Sequence, residues 1–183
     1  MAPVSLKGKL LLASPALVDP NFVRTVVLVA EHGDEGALGL VLNRPTDTLV
    51  GEAVDELAPI VDEDDAVFGG GPVGEEAVMV VAEFDEPELA ADLILGDLGF
   101  LPADSDLERI ATATRRARVF AGHAGWGPGQ LDGELEEGSW IVVDADRDDV
   151  FSDDPESLWS LVLERKGGPY AVLARMPEDP SVN

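Results

Sequence analysis

Two histidines are the only imidazole side chains in this sequence, so they are the first residues to test for acid–base or metal chemistry. His32 is followed by Asp34 and Glu35, and His123 precedes a glycine-rich segment. A histidine beside carboxylates can act as a general base or a metal ligand, because its pKa lies near neutrality. The H-x-x-x-H and H-E-x-x-H spacings of zinc sites and the G-x-S-x-G segment of serine hydrolases do not occur. We interpret both histidines as structural or exposed, with a metal-assisted hydrolase as the alternative if they converge on one cleft with several acids.

The segment Gly69–Gly74 formally matches the G-x-G-x-x-G pattern of dinucleotide-binding proteins. That pattern requires backbone amides at a helix start, directed at a pyrophosphate. Here Pro72 has no amide N–H, Glu75 and Glu76 would repel the anion, and the segment that follows is strand-like. The sequence therefore predicts a tight turn between two strands.

Two charged segments could bind ions. Asp144–Asp149 begins like an EF-hand loop, but an aspartate replaces the glycine at the sixth position and Pro155 replaces the glutamate at the twelfth. Between Arg109 and Arg118 lie four of the twelve basic residues, which could bind phosphate. We interpret the first segment as an acidic loop and the second as charge compensation for nearby carboxylates. We therefore expect no metal site and no cofactor.

The segment Gly122–Leu131 is the most unusual in the chain, because four of its ten residues are glycine and one is tryptophan. Dense glycines allow the backbone to approach another group closely. Trp126 either offers a flat apolar surface to a ligand or partner, or anchors a tight loop to the core. The sequence leaves both alternatives open.

The elements that position these residues alternate between strand-like and helix-like patterns. The predicted strands are Gly8–Ala13, Phe22–Ala30, Ala37–Leu42, Ala66–Phe68, Ala77–Phe84, Arg118–His123, Trp140–Val143 and Tyr170–Met176. The predicted helices are Thr48–Leu57 with Thr48 as its cap, Glu88–Leu95, one from Asp104 or Ser105 to Arg115, Gln130–Glu137, and one from Asp154 to the glycines at Gly167. Hairpins mixed with helices predict a single α+β domain over residues 1–183, with a loose tail after Pro177.

The charge of the chain limits its partners. Thirty-seven acidic residues against twelve basic ones give a formal charge of −25, which repels phosphate backbones and anionic membranes. The chain has no cysteine, which excludes disulfides and thiol catalysis and fits a reducing compartment. Lys7 and Lys9 before an apolar run faintly resemble a signal peptide, but Ser14 and Pro15 interrupt that run. We therefore expect a cytoplasmic protein that binds neither membranes nor, directly, nucleic acid.

Six blocks of the sequence resemble the YqgE/AlgH family of bacterial proteins. They occur in family order and are Gly8–Pro15, Phe22–Val29, Gly36–Pro45, Gly69–Val73, Gly125–Leu131 and Trp140. The resemblance implies an α+β fold with a bifurcated, partly barrel-like mixed sheet surrounded by helices, in a cytoplasmic protein. It implies no chemistry, because no enzymatic activity is established for the family. Its members are often labelled transcriptional regulators, but this sequence has no basic recognition helix to support direct DNA binding.

Carried over by position, the resemblance predicts one functional face built from three separate blocks. The candidate residues are Asn43, Arg44, Pro45, Gly70, Gly71, Pro72, His123, Gly125, Trp126, Gly127, Pro128, Gly129 and Gln130. We expect these blocks to meet in space and to bind an unidentified protein or small molecule. The favoured function is a non-enzymatic binding or regulatory protein. The alternatives are the metal-assisted hydrolase and a transcriptional regulator that acts indirectly.

Overall fold

The computed structural model describes residues 5–176, which form ten strands and six short helices. The strands are β1 Lys9–Ala13, β2 Val26–Gly33, β3 Gly36–Val41, β4 Pro45–Leu49, β5 Ala66–Gly69, β6 Val73–Phe84, β7 Asp92–Leu95, β8 Leu98–Phe100, β9 Thr114–Trp126 and β10 Trp140–Asp144. The helices are α1 Val50–Ala53, α2 Leu107–Ala113, α3 Gln130–Glu136, α4 Arg147–Val150, α5 Leu158–Lys166 and α6 Pro169–Leu173. The α+β class is confirmed. None of the described helices is long and apolar enough to cross a membrane.

The long strand β9 joins two halves of the sheet. Its last residues, Ala124–Trp126, pair with β3, and the order continues through β2 and β1 to β10. Its earlier residues pair with β6 on one edge and, in parallel, with β5 on the other. The sheet is therefore mixed and branches along β9. In the described residues its main path ends at β10 and β7, so the sheet is not closed into a barrel and the barrel-like expectation is not confirmed.

The core lies on both faces of the β1–β2–β3 half. In β1, Leu10 and Leu12 pack into one cluster while Leu11 and Ala13 pack into another, because side chains alternate along a strand. All four are fully buried, which explains the unbroken apolar run in the sequence. Helix α5 covers the first cluster, and α3 covers the second. The strand β9 and its glycine-rich end are thus held between two packed layers.

Two predicted elements have the wrong secondary structure. Glu88–Leu95 is not a helix: only the single turn Pro87–Leu89 is helical, and Asp92–Leu95 pairs with β8 as strand β7. Tyr170–Met176 is not a strand: Pro169 begins the short helix α6, which packs against α5. In both places tertiary packing outweighs the propensity of a short segment.

Other predicted elements are present with different ends. Thr48 lies in β4 and does not cap a helix, and the predicted helix Thr48–Leu57 is reduced to α1 and the single turn Asp55–Leu57. Asp106, not Asp104 or Ser105, caps α2 by accepting hydrogen bonds from backbone amides. Strand β9 is more than twice as long as predicted. The tail after Pro177 lies outside the described residues.

Candidate functional site

The glycine-rich connection between β5 and β6 crosses over β9. These two strands lie on opposite edges of β9, so the chain has to pass across it. A Cβ atom at Gly70 would lie 2.3 Å from the carbonyl oxygen of Gly122, and one at Gly71 would lie 2.2 Å from the carbonyl carbon of His123. Gly71 also has a φ of 151°, which side chains disfavour. The segment connects two strands, as predicted, but it crosses β9 and is not a tight turn, because β5 and β6 do not pair with each other. Its glycines allow the close backbone contact.

Asn43 extends the hydrogen bonding of β2 and β3 beyond their last backbone pair. Its amide nitrogen donates to the carbonyl oxygen of Arg24 at 2.9 Å, and its amide oxygen accepts from the backbone N–H of Val26 at 3.0 Å. Arg24 is the only described residue other than glycine with a positive φ, 53°. Asn43 therefore fixes a strained turn at the start of β2, and both ends of its side chain are satisfied.

Arg44 holds the loop that precedes β2. Its guanidinium lies partly buried against this loop, and burial lowers its pKa, opposed in part by the negative charge of Asp19. The guanidinium donates to the backbone carbonyls of Asn21 at 2.7 Å, Pro20 at 3.1 Å and Val23 at 3.1 Å. The guanidinium of Arg44 is thus hydrogen-bonded to backbone carbonyls of its own chain, and it is not available as a free anion-binding group.

Trp126 is only 7% exposed and anchors its loop to the core, which decides between the two alternatives left open by the sequence. Its ring stacks on Phe22, with 6.5 Å between ring centroids. Its indole N–H donates to Glu134 at 3.2 Å, and the indole of Trp140 donates to the same carboxylate oxygen at 2.9 Å. The structure favours the anchor because the ring lies inside an aromatic cluster.

Gln130 and Glu134 complete this network across the glycine-rich loop. The side-chain oxygen of Gln130 accepts from the backbone N–H of Gly127 at 3.0 Å, and its nitrogen donates to Glu134 at 3.1 Å. Glu134 therefore receives three hydrogen bonds and links the loop to two tryptophans. Sequence reasoning missed Glu134, although its position one helical turn after Gln130 was a usable signal.

The three candidate blocks meet around the loop at residues 19–24. The ring of Phe22 contacts Trp126, while carbonyl groups on both sides of it accept from Arg44. Arg44, Gly71 and Pro72 line a small shared cavity of about 120 Å³. Gly125 faces Val73, since a Cβ at Gly125 would lie 3.9 Å from the Val73 side chain.

The solvent-facing part of these blocks consists of glycines, prolines, one valine and one glutamine. We call it the glycine–tryptophan face, after its glycines and the buried Trp126 between them. It comprises Pro45, Pro72, Val73, Gly125, Gly127, Pro128, Gly129 and Gln130. Val73 is the largest apolar side chain in it and is 46% exposed. The face thus offers backbone groups and apolar surface on a rigid support.

The two histidines do not share a cleft. The Nδ1 atom of His32 accepts from the backbone N–H of Leu6 at 2.9 Å, and its Nε2 lies 3.4 Å from Asp132 of α3. His123 lies beside Gly74, and its buried Nδ1 has no hydrogen-bond partner among the described residues. Trp126 packs under α3, and alternation along β9 directs His123 to the opposite side. The described residues also contain no group of three or more histidines and acids close enough to hold a metal ion.

The arginine-rich segment compensates nearby negative charge. Arg109 lies 3.9 Å from Glu86, and the guanidinium of Arg118 stacks 4.3 Å above the ring of Phe68. Burial lowers the pKa of Arg118. Of these two, only the contact of Arg109 matches the interpretation as charge compensation, and its side chain is 60% exposed. Arg118 has an aromatic ring and the backbone carbonyls of Val150 and Ser152 as its partners.

The rest of this segment belongs to an ion-pair network around Glu83, which is 4% exposed. Arg116 hydrogen-bonds Glu83, while Arg115 and Arg147 approach it at 3.6 and 3.7 Å. Burial raises the pKa of Asp97, but hydrogen bonds from Arg147 and Arg115 outweigh burial and leave that pKa below its usual value. The network satisfies a buried carboxylate and leaves no unpaired charge for a ligand.

A groove of about 640 Å³ lies outside the predicted blocks. Its walls come from the β2–β3 hairpin, the turn after α1, the middle of β6 and the segment before α2. The lining is mostly apolar, with Leu38, Leu57, Met79, Phe100, Leu101 and Leu107 among the contributors. Four distant segments build it, and no sequence motif joins them, so sequence reasoning could not find it.

The chain is similar to a known family of bacterial proteins over most of its length. The AlgH-like family profile matches residues 10–171. A UPF0301 protein of Streptomyces coelicolor is 45% identical, with 98% of this chain and 96% of the relative covered. A UPF0301 protein of Chlorobaculum tepidum is 40% identical, with 96% and 95% covered.

Two solved structures have the same fold. A crystal structure of a Corynebacterium diphtheriae protein matches with a TM-score of 0.84 at 30% identity, covering 95% of this chain and 92% of that one. The solution structure of the AlgH protein from Pseudomonas aeruginosa matches with a TM-score of 0.74 at 31% identity, covering 97% of both chains. With the profile match, these similarities confirm the family indicated by the sequence blocks. The chain belongs to the AlgH-like family, the YqgE/AlgH or UPF0301 proteins of bacteria.

Proposed function

We propose that this protein is a non-enzymatic binding or regulatory protein whose glycine–tryptophan face docks a protein partner. The main support is that the polar side chains of the candidate blocks, apart from His123, already form hydrogen bonds within the fold. Asn43, Arg44 and Gln130 all bond to backbone groups of the chain itself. A catalytic site needs polar groups directed at a reacting atom, whereas a docking surface needs shape and rigidity.

A protein partner fits this face better than a small molecule. The cavity beside Arg44 and Pro72 is about 120 Å³, well below the roughly 300–1,000 Å³ of pockets that enclose organic ligands. The exposed Val73 and the flanking prolines and glycines offer apolar surface of the kind found at the centre of a protein interface, and Glu75 beside the cavity would belong to its polar rim. The close glycine contacts and the aromatic anchor pre-organise the surface, which lowers the entropy cost of binding.

Any regulatory role is then exercised through that partner and not by direct contact with DNA. The charge of −25 opposes phosphate, and the arginines nearest to forming a basic face have carboxylate, aromatic or backbone partners. We also propose a cytoplasmic location, supported by the absence of cysteine.

The experiment is affinity capture from a cell extract with the wild-type chain and two matched variants. Val73→Gln removes apolar surface from the face, and Val172→Gln removes it from helix α6, where the side chain is 70% exposed. We expect a partner retained by wild type and by Val172→Gln, and reduced about fivefold by Val73→Gln, as for loss of about 1 kcal/mol of binding energy. If both variants retain the same proteins as wild type in equal amount, the face is not the docking surface.

A further inference from the structure

We propose that the 640 Å³ groove binds a small organic cation with an apolar body, such as an alkylammonium or arylammonium compound. This site is separate from the glycine–tryptophan face and does not depend on the function proposed for that face. Its volume falls in the range of pockets that bury small organic ligands. Part of its lining lies on β3, β6 and α2, which pack against the core, so this part of the groove is preformed.

The walls of the groove are apolar and come from both sides of β6. Side chains alternate along this strand, so Met79 packs with the residues of the β2–β3 half and Val80 with those beneath α1. Leu38, Leu57 and Leu101 also line the groove. An apolar ligand body gains free energy on entering such a groove in proportion to the area it buries.

The charge of the groove is entirely negative. Glu31 and Glu56 are the only ionisable side chains that line it, and no lysine or arginine does so. Neither carboxylate forms an ion pair within the described residues. Two carboxylates without counter-charges beside apolar walls attract a cation and repel a carboxylate or phosphate of the same size.

The backbone of β6 adds a neutral acceptor. On the side away from β9, β8 pairs only with Val81–Glu83, and Leu101 donates to the carbonyl oxygen of Val80. Backbone groups alternate between the two edges of a strand, so those of Val78 are directed towards the groove, where its side chain is 41% exposed. An ammonium group has three donors, and this carbonyl can accept one of them beside the carboxylates.

The test is calorimetric titration of the full chain with octylammonium and with octanoate, which share the apolar tail and differ in charge. We expect saturable binding of octylammonium and at least roughly tenfold weaker binding of octanoate. The double variant Glu31→Gln/Glu56→Gln should weaken octylammonium binding roughly tenfold, because two partly exposed ion pairs are lost. Val78→Trp, at an exposed position, should fill the groove and abolish binding while thermal unfolding stays cooperative.

The matched control is Glu136→Gln/Glu137→Gln, which removes the same net charge from exposed positions at the end of α3. We expect this variant to bind octylammonium within about twofold of wild type. Equal affinity for octanoate, no binding of octylammonium, or an equal loss in both double variants would overturn the proposal. Binding of an alternating leucine–lysine peptide without binding of octylammonium would assign the groove to a polypeptide and would also overturn it.

Discussion

Glu134 is the residue on which the glycine-rich loop depends most, because one of its oxygens accepts from two indoles and the other from Gln130. Trp126 and Trp140 are 7% and 5% exposed, so their N–H groups have little access to water as a substitute acceptor. A buried donor left unpaired costs the desolvation energy of that group. The stability of the loop that carries the proposed docking surface therefore depends on the hydrogen bonds that the Glu134 carboxylate accepts.

We predict that Glu134→Ala lowers the free energy of unfolding by about 2–4 kcal/mol, the cost of leaving two indole N–H groups unpaired. Glu134→Gln should recover part of this loss, since its amide oxygen can still accept from the indoles. Urea denaturation followed by tryptophan fluorescence measures both effects. Glu136→Ala, at an exposed position on the same helix, serves as control and should change stability by less than about 0.5 kcal/mol. Equal effects of Glu134→Ala and Glu136→Ala would show that the network does not stabilise the fold.

The crossing of β5 to β6 over β9 is the element that sets the geometry of the face. It places Gly71 against the backbone of His123 and brings Pro72 beside Arg44. Beyond this point β9 leaves its pairing with β5 and joins β3. The glycines are needed because two backbone segments pass within a distance at which no Cβ atom fits.

Replacement of Gly71 by alanine should destabilise the protein by more than about 3 kcal/mol, because the new methyl group would overlap the carbonyl group of His123. Gly125→Ala is the matched control in the neighbouring block, since its nearest foreign atom would be 3.9 Å away. It should change stability by less than about 1 kcal/mol. Chemical denaturation of both variants measures the difference, and similar stabilities would contradict a tight crossing.

The elements also show what the sequence could and could not predict. The long apolar strands, α3 and the blocks that meet around Phe22 follow from periodicity and from the family resemblance. The strand β7 and the helix α6 do not, because both are four or five residues long and take their form from β8 and α5. The burial of Trp126 and the role of Glu134 required the structure, since only tertiary contacts decide whether a loop tryptophan faces solvent. Locating the groove also required the structure, because tertiary contacts bring its four distant segments together.

At the scale of the whole molecule, the apolar core, the ion-pair network and the two proposed binding surfaces occupy different parts of the sheet. The chain has a formal charge of −25. Its apolar core lies on both sides of one half of the sheet. Three of the nine arginines, Arg115, Arg116 and Arg147, pair with the buried carboxylate of Glu83. The glycine–tryptophan face and the groove both offer apolar surface on this acidic protein. The face forms where the pairing of β6 with β9 is irregular, and the groove forms beside the part of β6 that β8 does not pair with.

Hydrogen–deuterium exchange of the full chain, alone and with the partner whose capture Val73→Gln weakens, tests the central claim most directly. Our account predicts that binding slows exchange at residues 70–76 and 125–130 and leaves α6 unchanged. Slower exchange confined to α5 and α6, with no change in those two segments, would contradict docking at the glycine–tryptophan face.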